Sequence, residues 1–195
     1  MTSFILASQS PRRKSILEWA EMKFEILVSS ADESYPNTMD LREVPSYIAK
    51  NKALAVAENL KSTGNYKLQT CIIAADTVVV LENEIIGKPV DRDAAITSIK
   101  KLSGKKHQVI TGVCIMYEQG VECFSETTDV TFHLLSNDQI SYYVDTYKPY
   151  DKAGAYAIQE WIGVVGIERI EGDFYNVMGL PISKLMQKIK QLGLL

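Results

Sequence analysis

A single carboxylate interrupts an otherwise apolar stretch. Residues 72–80 read Ile-Ile-Ala-Ala-Asp-Thr-Val-Val-Val, with Asp76 near the centre. Side chains branched at Cβ favour extended backbone, and a continuous apolar run is what a fully buried strand needs. An unpaired charge is expensive to bury. Asp76 must therefore stand at a strand end, be paired, or bind a cation. At a strand end it can hold Mg²⁺ or accept a proton from water. The plain alternative is a turn aspartate between strands over 70–75 and 78–81, the second continuing or pairing with the first.

The flanking segments alternate strand and helix signals. Residues 4–7 form a short apolar run, and Ser10 with Pro11 is a good N-cap and first helical residue for a helix to about Trp19. A strand is expected over 24–28, a polar loop over 29–41, and a long helix over 43–60 with Ile48, Ala49, Ala53, Val56, Ala57 and Leu60 on one face. Ile85 and Ile86 can complete a hairpin, and Asp91 caps a helix to Leu102. Strands over 107–117 and 121–133 flank a turn at Glu118-Gln119-Gly120. Ser136 with Gln139 forms a capping box for a helix to Tyr147. Strands over 156–158 and 164–170 and a closing helix over 181–192 complete the reading. Mixed βα units and hairpins predict an α/β protein with a mixed sheet. The 195 residues, 46% hydrophobic, suit a single domain.

The charged residues next to these elements suggest chemistry. Ser8-Gln9-Ser10-Pro11-Arg12-Arg13 puts hydroxyls and two guanidinium groups where a helix begins. Cations are unfavourable at that end of the helix dipole unless an anion joins them, so phosphate is the natural ligand. Lys52 lies four residues from both Ile48 and Val56, on the face that should be buried, and must snorkel out, pair, or face a cleft. Glu33, in the preceding loop, is a plausible acidic neighbour. Gly87-Lys88-Pro89 is a rigid turn presenting one cation. Residues 151–159 form a small-residue loop that permits close backbone approach, and Gln159 offers a donor and an acceptor to a base edge. His107, alternating with Val109 and Thr111, is read as structural.

Other classes are excluded or disfavoured. No GxxxxGK[ST], GxGxxG, GxSxG or HExxH occurs, and two histidines cannot build a histidine-rich metal site. A net charge of −3 disfavours nucleic acid and membrane surfaces as partners. Cys71, Cys114 and Cys123 form no disulfide framework or zinc site, and are read as small hydrophobes in a reducing compartment. With no signal peptide and no apolar run of about 18 residues, a cytoplasmic location is expected.

Taken in order, Ile5-Leu6-Ala7-Ser8-Gln9-Ser10-Pro11-Arg12-Arg13, Ala75-Asp76-Thr77-Val78, Gly87-Lys88-Pro89, Ser103-Gly104 with His107, Thr111-Gly112-Val113, Asp151-Lys152-Ala153-Gly154-Ala155-Tyr156, Ile158-Gln159 and Asn176-Val177-Met178-Gly179-Leu180-Pro181 resemble the Maf family of nucleoside triphosphate pyrophosphatases over nearly the whole chain. The resemblance implies an α/β fold of the inosine-triphosphate-pyrophosphatase-like kind, with a mixed β-sheet flanked by helices and two lobes around a central cleft. It further implies a divalent cation (Mg²⁺ or Mn²⁺) and cleavage between the α- and β-phosphates. By this resemblance Asp76 is the general base and a metal ligand, and Glu33 assists the metal. Ser8, Arg13, Lys52 and Lys88 hold the triphosphate. Arg12, Thr77 and Gln159 match the branch acting on dTTP and UTP. Ala157 and Glu160 stand where glycines are common in the family. The expected partner is the nucleotide, with a homodimer allowed for. The competing reading, from the family's older name, is a non-catalytic regulator of septum formation acting through protein contacts.

Overall fold

Local signals set most element boundaries in the computed structural model, which describes residues 2–195. Ser10 caps α1 (Pro11–Trp19) with Pro11 in its first turn. The Asp91 side chain accepts the Ala94 N–H at 2.8 Å to start α3 (Arg92–Leu102). The Ser136–Gln139 capping box opens α4 (Asn137–Tyr147). The remaining strands and α-helices are β1 (Ser3–Leu6), β2 (Phe24–Ile26), α2 (Val44–Ser62), β3 (Thr70–Leu81), β4 (Glu84–Ile86), β5 (Lys106–Tyr117), β6 (Gly120–Phe132), α5 (Trp161–Gly166), β7 (Ile167–Glu171), α6 (Phe174–Met178) and α7 (Ile182–Gln191). Among the described residues seven strands form one mixed sheet in the order β2-β1-β3-β5-β6-β7, with β4 pairing β3 off that path. This is the expected α/β class. No helix among the described residues is long and apolar enough to cross a membrane.

Four expectations are corrected. β3 is one strand of 12 residues, so Asp76 sits within it, neither in a turn nor at an end. Residues 156–158 form no strand, because Gly154 and Ala155 both take positive φ (67° and 59°) and turn the chain just before them. The first part of the expected strand over 164–170 is helical: α5 runs to Gly166 before β7 begins. A Cβ on Gly163 would lie 1.7 Å from the Ile158 carbonyl oxygen, so that close approach outweighs the β preference of Val164 and Val165. Finally, Cys114 of β5 and Cys123 of β6 are joined by a disulfide, their Cα atoms 4.2 Å apart. They stand nine positions apart in sequence, and strand pairing, not sequence spacing, makes them neighbours. Cys71 stays a buried free thiol, its pKa pushed up to about 12 by burial.

The chain divides into two compact units. The first contains the described residues up to Asp76 with Thr111–Glu126 and Gly179–Leu195. In it, β1 pairs in parallel with β2 and β3. The α2 face of Ala49, Ala53, Val56, Ala57 and Leu60 packs on Ile5, Ile72, Ala74, Cys114 and Met116. Gly112 makes one approach possible: its Cβ would fall 2.1 Å from the Ser46 backbone nitrogen, at the start of α2.

The second unit contains Thr77–Ile110 and Thr127–Met178. Glu82 and Asn83, with φ of 51° and 64°, make the tight turn into β4, which pairs antiparallel with β3. Its interior holds His107, Phe132 and Tyr156 edge to face, with centroids 5.0–5.5 Å apart. His107 Nε2 and the Tyr156 hydroxyl are 2.8 Å apart, as the structural reading of this histidine expects. Burial pushes the His107 pKa down to about 4, against the opposing pulls of the Lys105 backbone and Asp129. The unfolded chain takes up that proton near pH 6.5, the folded protein only near pH 4. Stability from the neutral ring is therefore complete above about pH 6.5 and is lost as pH falls towards 4, by about 2 kcal/mol at pH 5. Urea unfolding at about pH 7.5 and 5 should show His107→Asn losing less stability on acidification than wild type. Equal losses would contradict this account.

Candidate functional site

Pairing is what makes Asp76 tolerable within β3. Lys52 projects from α2 between Ile48 and Val56, which lie one turn to either side and are both buried. Its Nζ lies 2.7 Å from Asp76 Oδ1 and 2.8 Å from Glu33 Oε1. The Lys52 and Asp76 side chains are 18% and 14% exposed, whereas Glu33 is 53% exposed. The Lys52–Asp76 link is thus the shielded one, and Glu33 shares the ammonium from the solvent side, where screening is stronger. Lys52 does not snorkel to bulk water, and Glu33 is the acidic neighbour the loop was expected to supply.

The chain entering α1 adds cations to the same unit. The buried Ser8 hydroxyl oxygen accepts from the Ser10 N–H and from Arg13 Nη1, each at 3.2 Å. Arg13 Nε donates to the Gly179 carbonyl at 2.8 Å. Loss of solvent lowers the Arg13 pKa; Asp76 and Glu33 raise it, and Arg12 lowers it further. These influences show that Arg13, Arg12, Asp76 and Glu33 act on one electrostatic neighbourhood. Arginine keeps its charge there. The first turn of α1 holds no acidic residue, so its N-terminal dipole and the two guanidinium groups favour an anion.

Thr77, Lys88 and Gln159 belong to the second unit. Thr77 follows Asp76 in β3 and is half-buried. Lys88 is exposed in the Gly87-Lys88-Pro89 turn, where the Gly87 carbonyl accepts the Gly154 N–H at 3.3 Å. Gly154 is required at that meeting: φ is +67° and a Cβ would lie 2.9 Å from Val79 Cγ2. Gln159 is exposed and sits on a separate loop from Lys88, in a turn closed by the Glu160 N–H and the Ala157 carbonyl at 3.1 Å. Sequence reasoning passed over Lys152. It is buried, with Nζ 2.8 Å from Asp151 Oδ1 and 3.5 Å from Glu160 Oε1. A lysine inside a small-residue loop was the available signal.

A divalent cation fits the donor set of the first unit. Asp76 and Glu33 are hard oxygen donors converging on one cation, now the ammonium of Lys52. Among the described residues no group of three or more His, Cys, Asp or Glu side chains is arranged to hold a metal. Mg²⁺ suits this arrangement, because it is commonly held by one or two carboxylates together with substrate phosphates and water.

The fold and this cluster define an α/β protein in which two carboxylates share one ammonium, in the same unit as the basic start of α1. The chain matches the family described as Maf-like protein over residues 3–192, and it belongs to that family. A Bacteroides fragilis protein named dTTP/UTP pyrophosphatase is 47% identical over 189 residues, covering 96% of this chain and 95% of that protein. One from Porphyromonas gingivalis, with the same name, is 46% identical over 190 residues, covering 97% and 94%. Among solved structures, the Staphylococcus aureus Ham1 protein aligns with 67% of this chain and 72% of its own, at 13% identity and a TM-score of 0.48.

A double-mutant cycle checks the central pair. Lys52→Met should lower unfolding free energy by about 1–3 kcal/mol, since it strands a shielded carboxylate. Lys52→Met with Asp76→Asn should cost less than the sum of the single changes, by at least ~1 kcal/mol. Additive single effects in urea titrations would show that the pair contributes nothing.

Proposed function

We propose that this protein is a nucleoside triphosphate pyrophosphatase that hydrolyses dTTP and UTP to the monophosphate and pyrophosphate, a house-cleaning activity on the nucleotide pool. The observation that carries this reading is Asp76, held by Lys52 beside Glu33 and in the electrostatic neighbourhood of Arg13. Two carboxylates among several cations suit a reaction that must bind a polyanion and activate water beside it. The names of the relatives at 46–47% identity support the substrate class.

In this reading Asp76 orients a water molecule and takes its proton as the oxygen attacks the α-phosphorus in line. The new P–O bond forms as the bond to the bridging α–β oxygen breaks, and pyrophosphate leaves with the electron pair. Ser8, Arg13, Lys52 and Lys88 hold the triphosphate, and the three cations among them offset its roughly four negative charges and the charge gathering on the leaving group. Asp76 and Glu33 would hold Mg²⁺ or Mn²⁺, which when bound neutralises phosphate charge as a Lewis acid. Gln159 reads the carbonyl, N3–H, carbonyl edge of thymine or uracil with one donor and one acceptor, while cytosine reverses part of that pattern. Arg12 and Thr77 complete the selectivity set. A cytoplasmic location, beside the nucleotide pool, belongs to the same reading.

Initial rates on pure nucleotides with Mg²⁺, following pyrophosphate release, test it. dTTP and UTP should be turned over well, and CTP, ATP and GTP poorly, because a fixed amide leaves polar groups unpaired against the wrong base. Asp76→Asn should lower kcat at least ~100-fold with the fold intact. Gln159→Ala should narrow the gap between dTTP and CTP. Absence of hydrolysis of any triphosphate would overturn the reading and leave the non-catalytic one.

A further inference from the structure

We propose that Tyr143 is a positioning residue for base selection, acting through Glu160 to hold the turn that carries Gln159. The proposal rests on the reading of Gln159 given above.

Tyr143 projects from α4 and is fully buried. Its hydroxyl accepts the Ala157 N–H at 3.2 Å and donates to Glu160 Oε2. Ala157 and Glu160 are the first and last residues of the turn over 157–160, closed by the Glu160 N–H on the Ala157 carbonyl. One buried phenol therefore grips both feet of the turn, and Gln159, its third residue, stands exposed above it.

Neighbouring contacts remove the remaining slack. The other oxygen of Glu160 faces Lys152 Nζ at 3.5 Å, and that buried lysine is held in turn by Asp151 at 2.8 Å. Ile158 lies under Gly163, whose missing Cβ is what lets the Ile158 carbonyl approach. The Tyr143 ring stacks on Tyr147 with centroids 5.0 Å apart, which fixes the direction of the hydroxyl.

This arrangement exceeds what packing requires. A fully buried site favours an apolar ring unless the hydroxyl finds partners, and both partners here belong to one turn. An amide that reads a base must be held within about half an ångström to discriminate. Glu160, the residue following Gln159, is in this view the anchor that keeps the amide in one pose.

The test compares kcat and KM for dTTP and CTP in wild type, Tyr143→Phe, Glu160→Ala and Glu160→Gln, with thermal midpoints alongside. Tyr143→Phe and Glu160→Ala should each lower the dTTP-to-CTP ratio of kcat/KM about tenfold, mainly by raising KM for dTTP, with kcat on CTP within about twofold of wild type. Glu160→Gln keeps an acceptor for the phenol and should retain most of the selectivity. If both disruptive variants keep wild-type selectivity, or lose rate on dTTP and CTP in equal proportion as their thermal midpoints fall, the positioning role is overturned while the proposed function stands. If wild type itself fails to prefer dTTP over CTP, the selectivity reading falls first and this proposal with it. Should Tyr143→Phe fail to fold, the two Glu160 variants decide.

Discussion

The ammonium of Lys52 is the interaction on which the polar interior of the first unit depends. β3 carries apolar side chains on both sides of Asp76, so the carboxylate has few places to find compensation. Lys52 supplies it from α2, whose alanine-rich face lies against the strands. The same ammonium reaches Glu33, and so engages a loop residue as well as the strand. An ammonium has three donors. Asp76 and Glu33 take two, and in the proposed function the third goes to a phosphate oxygen. The contacts that make the buried carboxylate tolerable thus also hold both carboxylates in place.

Arg13 shows the same economy. Its guanidinium ties the Ser8 hydroxyl to the Gly179 carbonyl, which fixes the turn into α1. A basic residue in the first turn opposes the helix dipole. The position makes sense only if its structural bonds, or an anion, repay that opposition. Here the structural bonds are visible, and Asp76 and Glu33 act on the same guanidinium.

Several features were legible because they are local. The caps at Ser10, Asp91 and Ser136 act within three residues of themselves, and the helices they start fall where the sequence puts them. Asp76 was legible as a charge needing compensation, and Lys52 as a cation on an apolar face. Their union across 24 residues of sequence needed the packing of α2 on β3, which periodicity alone does not contain. The misread segments fail for the same reason. Residues 156–158 look extended by composition, but the chain turns just before them at Gly154 and Ala155, both at positive φ, where Gly154 packs on Val79 and bonds the Gly87 carbonyl. The Cys114–Cys123 disulfide depends on strand register. Tyr143 escaped notice because its hydroxyl's partners lie beyond α4, and Lys152 because its burial and its contact with Glu160 past the turn are tertiary facts. Which oxygen bonds to which donor on the Gln159 turn is a tertiary fact.

The central claim is that Asp76 and its cations direct water to the α-phosphorus. Hydrolysis of dTTP in ¹⁸O-enriched water, with mass analysis of both products, tests this most directly. The account predicts one labelled oxygen in the monophosphate and none in pyrophosphate, with labelled product forming at least ~100-fold more slowly in Asp76→Asn. Label appearing in pyrophosphate would mean attack at the β-phosphorus and would contradict the assignment.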